Sequence, residues 1–195
     1  MKKFLMLLLI LMIAPILAGL YGVIHDQFTY SLSHEYFTKF KFYQFELMDV
    51  GDEAIFPNPR LQVATVGLLA SWWLGIPIGL VLGLEGLRHK NAKTMFSVTF
   101  KAFLITLLVT AIIGMIGFLY GYFYLRHQPI EYFTSWYIPD NIIDIKSFIN
   151  TGAVHNFSYI GGLIGLVVGL IYSLKVRRRN KREDIINPEI SAKKA

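Results

Sequence analysis

The stretch that decides the fold is AFLITLLVTAIIGMIGFLYGYFYL, residues 102–125, which contains no Asp, Glu, Lys, Arg or His. A transmembrane helix needs roughly 20 apolar residues to cross a hydrocarbon core about 30 Å thick. Three further stretches meet this requirement, namely residues 4–24, 63–84 and 157–174. The sequence therefore predicts an all-α membrane protein, in which residues 1–195 form a single domain built as a four-transmembrane-helix bundle.

The composition excludes several classes of protein. Of the 195 residues, 54% are hydrophobic and 16% are charged, and the mean hydropathy is +0.49, which excludes a disordered chain. The absence of cysteine excludes a disulfide framework, a thiolate nucleophile and a zinc–thiolate site. The first span follows Lys2 and Lys3 and has the charge pattern of a signal peptide. Its apolar stretch of 21 residues is longer than usual, so we expect it to be retained.

Lysine and arginine are concentrated in three segments. The N-terminus, residues 88–101 and residues 175–194 hold fourteen of the nineteen basic residues. The two long loops, residues 25–62 and 126–156, hold the other five together with nine acidic residues. The positive-inside rule therefore predicts cytoplasmic termini and outward-facing loops. The basic run after the last span has the charge of a nucleic-acid patch or an anionic-lipid anchor. We interpret it as a topology anchor, because it begins where the apolar stretch stops, and no nucleic-acid partner is expected.

Three short matches recur in the same order along the chain. Leu-Tyr-Gly occurs at residues 20–22 and 119–121, Glu-Tyr-Phe-Thr at 35–38 and 131–134, and IGLVLGL at 78–84 matches IGLVVGL at 164–170. These matches predict two parallel-repeat helical hairpins, at about residues 1–87 and 97–175. Small residues spaced by four on the second and fourth spans favour close helix contact. That contact lies either within the bundle or in a homo-oligomer.

The two outward loops are expected to form a small extracytoplasmic cap. In the first loop, Lys39, Lys41 and Tyr43 alternate with Phe40 and other residues, which is typical of a half-buried strand. In the second loop, the residues after Pro129 predict a short helix. A further helix is predicted to be capped by Asp140 and to end near Gly152.

Several segments carry a resemblance to known proteins. His25-Asp26-Gln27 is followed by Glu35-Tyr36-Phe37-Thr38, and the second span contains Trp72-Trp73. With these segments the chain resembles a group of uncharacterised bacterial integral membrane proteins that carry an HDQ…EYF segment after the first span. The resemblance implies a location in the bacterial inner membrane and brings no activity or cofactor with it.

Histidine and carboxylate residues are the strongest chemical signal. Four of the five histidines, all except His89, lie in or beside the outward loops, near Asp26, Glu35 and Glu131. Imidazole with carboxylate suits Zn, Fe or Cu, and the predicted ligands are His25, Glu35 and His155. No His-Glu-x-x-His motif accompanies them. The repeated segments also mark Glu35, Tyr36, Glu131 and Tyr132 as candidate ligand-binding residues, or as a clasp that seats each loop on the bundle.

Two functions follow from this pattern. The leading hypothesis is a non-enzymatic inner-membrane protein that binds a partner protein, a lipid or a small ligand through its outward loops. The alternative is a metal-dependent membrane enzyme that uses the outward His and carboxylate residues. Ion-coupled transport is disfavoured, because no ionisable group lies inside a predicted span.

Overall fold

Four long helical segments dominate the computed structural model, which describes residues 1–48 and 54–186. They are α1 (Lys2–Leu32), α4 (Pro59–Ser71) joined by a 3₁₀ turn (Trp72–Leu74) to α5 (Gly75–Gly86), α6 (Ala92–Phe123) and α7 (Ile145–Ile186). Each is long and apolar enough to cross a membrane. The all-α prediction with four spans is therefore confirmed, and the chain is a multi-pass membrane protein.

Three of the four helical segments extend beyond the predicted spans at the end of the bundle that carries the two long loops, which we call the loop end; α6 ends at Phe123, two residues short of its predicted limit. α1 continues to Leu32, eight residues past the predicted limit at residue 24. The opposite end, the terminal end, brings three parts of the chain together. Lys3 Nζ donates to the carbonyl of Leu87 at 3.1 Å, and Arg177 pairs with Glu85 at 3.2 Å. The predicted basic residues Lys193 and Lys194 lie outside the described residues.

Small residues let the helices of each hairpin approach closely. A Cβ atom on Gly22 would lie 2.1 Å from the carbonyl oxygen of Gly67, so α1 and α4 touch backbone to backbone. In the second hairpin, a Cβ on Gly165 would lie 2.6 Å from the carbonyl oxygen of Thr106. Thr106 Oγ1 in turn donates to Gly165 O at 3.1 Å. Small residues were predicted to allow close helix contact, and these contacts occur within a single chain.

The strand predicted in the first loop is wrong. This segment is helical instead, as α2 (His34–Tyr36), a π-helical turn (Phe37–Lys41) and α3 (Phe42–Gln44), and no strand occurs in residues 1–48 or 54–186. Ser33 starts it, because its side chain accepts a hydrogen bond from the amide of Tyr36 at 3.2 Å. Lys39 and Lys41, which the prediction placed together on one face of a half-buried strand, are both buried. The alternation of polar and apolar residues did not predict the structure, because other parts of the protein cover both faces of this segment.

The second loop differs from its prediction in one helix. A 3₁₀ turn, Ile130–Phe133, follows Pro129 as expected. The helix predicted to begin at Asp140 and end near Gly152 is instead the start of α7, which runs on into the fourth span. Its first turn is capped by Asp144, whose Oδ1 accepts from the amide of Ser147 at 3.0 Å. Because α7 starts in the loop, it carries loop residues and span residues on one rigid element.

Candidate metal centre

The last turns of α1 and the first turns of α7 meet at the loop end. His25 and Asp26 lie on α1, and His155 lies on α7. Asp26 and His155 are only 3% and 6% exposed. Because α1 does not stop at residue 24, His25 and Asp26 are held by a helix that packs into the bundle.

The three side chains form one compact group. His25 Nδ1 lies 2.9 Å from Asp26 Oδ1, and His155 Nε2 lies 3.9 Å from the same oxygen. One candidate ligand atom from each residue falls within 4.8 Å of the others. A first-row metal with bonds of about 2.0–2.2 Å holds its donor atoms roughly 3–3.5 Å apart. Small side-chain rotations would therefore bring the three donor atoms to the separations that a bound ion requires.

Two donor atoms of this group lack a hydrogen-bond partner in the described part of the protein. They are Asp26 Oδ2 and His155 Nε2, and both are buried. Leaving a polar atom buried without a partner costs free energy, about 1–3 kcal/mol each in mutational data. A cation bound among these residues would satisfy both atoms, so the donor set fits a metal site in number and type.

Ser158 supports His25 from the neighbouring turn of α7. Its Oγ lies 3.1 Å from His25 Nε2. With its proton on Nδ1, His25 donates to Asp26 Oδ1 and accepts from Ser158. With its proton on Nε2, it donates to Ser158 and leaves the Nδ1 lone pair for an ion shared with Asp26. Ser158 is itself confined by α6, since a Cβ on Gly114 would lie 2.4 Å from Ser158 Oγ. Such outer hydrogen bonds orient metal-binding imidazoles in proteins.

Aromatic rings enclose the group on the side of the first loop. Tyr36 stacks on His155 with centroids 5.0 Å apart and an interplanar angle of 20°, and His25 meets His155 edge to face at 4.8 Å. Burial raises the pKa of the Tyr36 phenol, and the nearby Tyr159 and Asp26 raise it further. Tyr36 therefore stays protonated and neutral beside the imidazole.

One buried cation lies in the same region. Lys41 Nζ donates to Gln44 Oε1 at 2.8 Å and lies 5.3 Å from the ring centroid of Phe40. Burial lowers the pKa of Lys41, while Asp26 acts in the opposite direction. The predicted strand gave no sign that Lys41 belongs to this region.

Glu35, the third predicted metal ligand, is engaged elsewhere. Its carboxylate accepts from the amides of Ile143 at 3.0 Å and Asp144 at 2.7 Å, and it pairs with Lys39. Burial alone would raise the pKa of Glu35, but Lys39 and the two amides outweigh it and hold the pKa below its ordinary value. Glu35 thus tethers the first loop to the second, and Asp26 takes the third position beside His25 and His155.

The second Glu-Tyr-Phe-Thr segment does not reach the site. Glu131 and Tyr132 are both exposed, and Tyr132 retains 54% of its accessible surface. The structure thus separates the candidate ligand-binding residues: Tyr36 contacts the group, Glu35 braces the loops, and the other two face outward. Asp26 was within reach of sequence reasoning, since it directly follows His25 in a segment that continues α1.

Comparison of the chain with protein-family models, with curated proteins and with solved structures finds no match. The site must therefore be interpreted from its own geometry.

Proposed function

We propose that this protein binds a divalent first-row transition metal through His25, Asp26 and His155, as a metal-dependent enzyme of the bacterial inner membrane. The observation that carries the proposal is the pair of buried, unpartnered donor atoms, Asp26 Oδ2 and His155 Nε2, in one group with His25. Non-enzymatic binding through the loops alone would not require these donor atoms to converge.

The three ligands limit which metals the site would bind and which reactions it would support. Two imidazoles and one carboxylate are typical of catalytic Zn(II) sites and of non-haem Fe(II) sites. Both types keep at least one coordination position open for water or substrate, where the metal acts as a Lewis acid or activates the bound molecule. Among residues 1–48 and 54–186, three donors converge, and a three-donor set with open positions is typical of a catalytic site.

A second arrangement of the same residues is a nucleophile relay. Ser158 Oγ, His25 and Asp26 have the spacing of a hydroxyl, a base and an orienting carboxylate, 3.1 Å and 2.9 Å apart. Ser158 is only 8% exposed and lies against Gly114. The backbone of α6 therefore occupies the place beside Oγ where a substrate carbonyl would bind. We favour the metal site for this reason.

The orientation of the site rests on charge. The basic segments lie at the terminal end, so we infer that this end is cytoplasmic and that the metal site faces the extracytoplasmic surface. The resemblance to bacterial integral membrane proteins and the duplicated-hairpin hypothesis are compatible with this arrangement. Reporter fusions after Ala195 and within residues 25–62 are expected to report opposite sides of the membrane. The same side for both would contradict the orientation.

Metal content of the purified protein tests the proposal. Elemental mass spectrometry is expected to find about one transition-metal ion per chain, lost in Asp26→Asn and His155→Ala. His127→Ala is the matched control, because His127 is exposed in the same half of the molecule, and it should retain the metal. Helical circular dichroism confirms that each variant is folded. A folded wild-type protein that neither retains nor takes up metal would overturn the proposal.

A further inference from the structure

A cavity of about 260 Å³ opens beside the candidate metal centre, between the first loop and the start of α7. Five of its eight lining residues are aromatic, namely Tyr36, Phe40, Trp136, Tyr137 and Phe148. Tyr36 and Phe148 are almost fully buried, so Phe40, Trp136 and Tyr137 form the exposed part of the aromatic wall. Both loops and the start of α7 contribute lining residues, so the cavity depends on the contact between the loops.

The rings of the wall contact one another and form a continuous surface. Tyr36 and Phe148 have centroids 5.0 Å apart, and Phe40 lies 6.0 Å from Phe148 and 5.9 Å from Tyr137. Tyr36 is also the residue that stacks on His155. One side chain therefore separates the contents of the cavity from a predicted metal ligand.

Trp136 is seated by a glycine of α7. A Cβ on Gly152 would lie 2.5 Å from Trp136 Cζ3. The indole therefore packs directly against the backbone of α7, and a side chain at position 152 would clash with it. The backbone amide of Trp136 donates to the carbonyl of Phe133 at 2.8 Å. Trp136 is thus fixed both by a backbone hydrogen bond and by the packing of its ring.

The chemistry of the lining restricts the ligand. None of its eight residues is Asp, Glu, Lys, Arg or His, which disfavours a charged ligand. The polar side chains are Ser135 and Asn156, both exposed and both able to hydrogen bond to a hydroxyl group. Drug-sized ligands occupy pockets of about 300–1,000 Å³, so this smaller cavity suits a molecule with one ring. Aromatic walls favour a flat aromatic ring by offset or edge-to-face contact.

We propose that this cavity binds an uncharged, single-ring phenol, held by the aromatic wall and hydrogen bonded by its hydroxyl to Ser135 or Asn156. Phenols are then the proposed substrate class of the neighbouring centre, which they reach only when Tyr36 moves away from His155, and this part of the inference rests on the proposed metal function. Tyr36 is the positioning residue between the two sites.

The test uses the full chain in lipid nanodiscs and measures ligand binding by saturation-transfer NMR. The probe 4-methylphenol is expected to bind saturably. The control 4-methylcyclohexanol has nearly the same size and hydroxyl but no aromatic ring, and it should partition into the lipid without saturation. Equal saturable binding of both compounds, or of neither, would overturn the inference.

Two exposed tyrosines of the second loop provide matched variants. Tyr137 lines the cavity and is 70% exposed, whereas Tyr132 does not line it and is 54% exposed. Tyr137→Ala is expected to weaken 4-methylphenol binding about three- to tenfold, the range of one aromatic contact, while Tyr132→Ala leaves it unchanged. Wild-type affinity in Tyr137→Ala would contradict the assigned wall.

Asp26→Asn separates the failure of this inference from that of the proposed function. This variant should lose the metal and keep saturable phenol binding, because Asp26 does not line the cavity. Metal retention without phenol binding in the wild type would refute the cavity alone. Phenol binding by a wild type that takes up no metal would refute the metal centre, and with it the assignment of phenols as substrates.

Discussion

The two Glu-Tyr-Phe-Thr segments, residues 35–38 and 131–134, share one sequence and have different surroundings. In both, the phenylalanine is buried: Phe37 is 0% and Phe133 is 3% exposed. The glutamate and tyrosine differ. Glu35 binds the backbone of the second loop and Tyr36 packs on His155, whereas Glu131 and Tyr132 are exposed. The phenylalanine thus anchors each segment, and only the first segment extends its contacts to the other hairpin.

The largest effects on stability are expected at the two anchoring phenylalanines. Phe37→Ala and Phe133→Ala are each expected to lower the free energy of unfolding by about 3–5 kcal/mol, because each removes a buried ring. Denaturant-induced unfolding in mixed micelles measures both. A large loss in one variant and none in the other would break the proposed equivalence of the two anchors.

The tyrosines should behave in opposite ways. Tyr36→Ala removes a ring that is 6% exposed and is expected to cost about 3 kcal/mol of stability. Tyr132→Ala removes an exposed ring and should change stability by less than about 0.5 kcal/mol. The same unfolding assay measures the difference between them. Similar losses would mean that the second segment is also part of a packed site.

The glutamates test the tether between the loops. Glu35→Gln weakens charge-assisted hydrogen bonds to the amides of Ile143 and Asp144, and a loss of about 1–3 kcal/mol in local stability is expected. Hydrogen exchange of the peptide that contains these amides, followed by mass spectrometry, should speed up. Glu131→Gln is the control and should leave the exchange of this peptide unchanged.

The smallest expected effect is a pH dependence of the same tether. The folded-state pKa of Glu35 is depressed, so its contribution to stability is fully present above the unfolded-state pKa and is lost as pH falls through the folded value. Exchange of the Ile143 and Asp144 amides, corrected for the intrinsic rate, should therefore be constant near neutrality and rise only in acid. In Glu35→Gln this acid-dependent rise should be reduced. An unchanged rise would assign the transition to another group.

The fold was largely predictable from sequence, because apolar length and charge-free spans respond to a local physical requirement. The first loop was not, because the burial of Lys39 and Lys41 depends on contacts with distant segments. Lys39 Nζ, for example, also donates to the carbonyl of Asn141 at 2.9 Å.

The candidate site was predicted in part. The pairing of His25 with His155 followed from their positions beside the first and fourth spans. The third member was assigned to Glu35, one of three carboxylates near these histidines in the sequence. The structure places Asp26 there, since α1 continues as a helix beyond residue 24 and carries Asp26 into the bundle. A repeat in sequence thus marked an anchor common to both loops, and the site formed where the hairpins meet.

X-ray absorption spectroscopy of the metal-loaded protein tests the central claim most directly, since it reports the atoms around the ion. The account predicts nitrogen and oxygen neighbours at about 2.0–2.2 Å, with outer-shell scattering from two imidazoles. Because His155→Ala loses the ion, it should give no metal signal after the same loading, whereas the control His127→Ala should give the wild-type spectrum. A spectrum without imidazole scattering, or one unchanged by His155→Ala, would contradict a centre built from His25, Asp26 and His155.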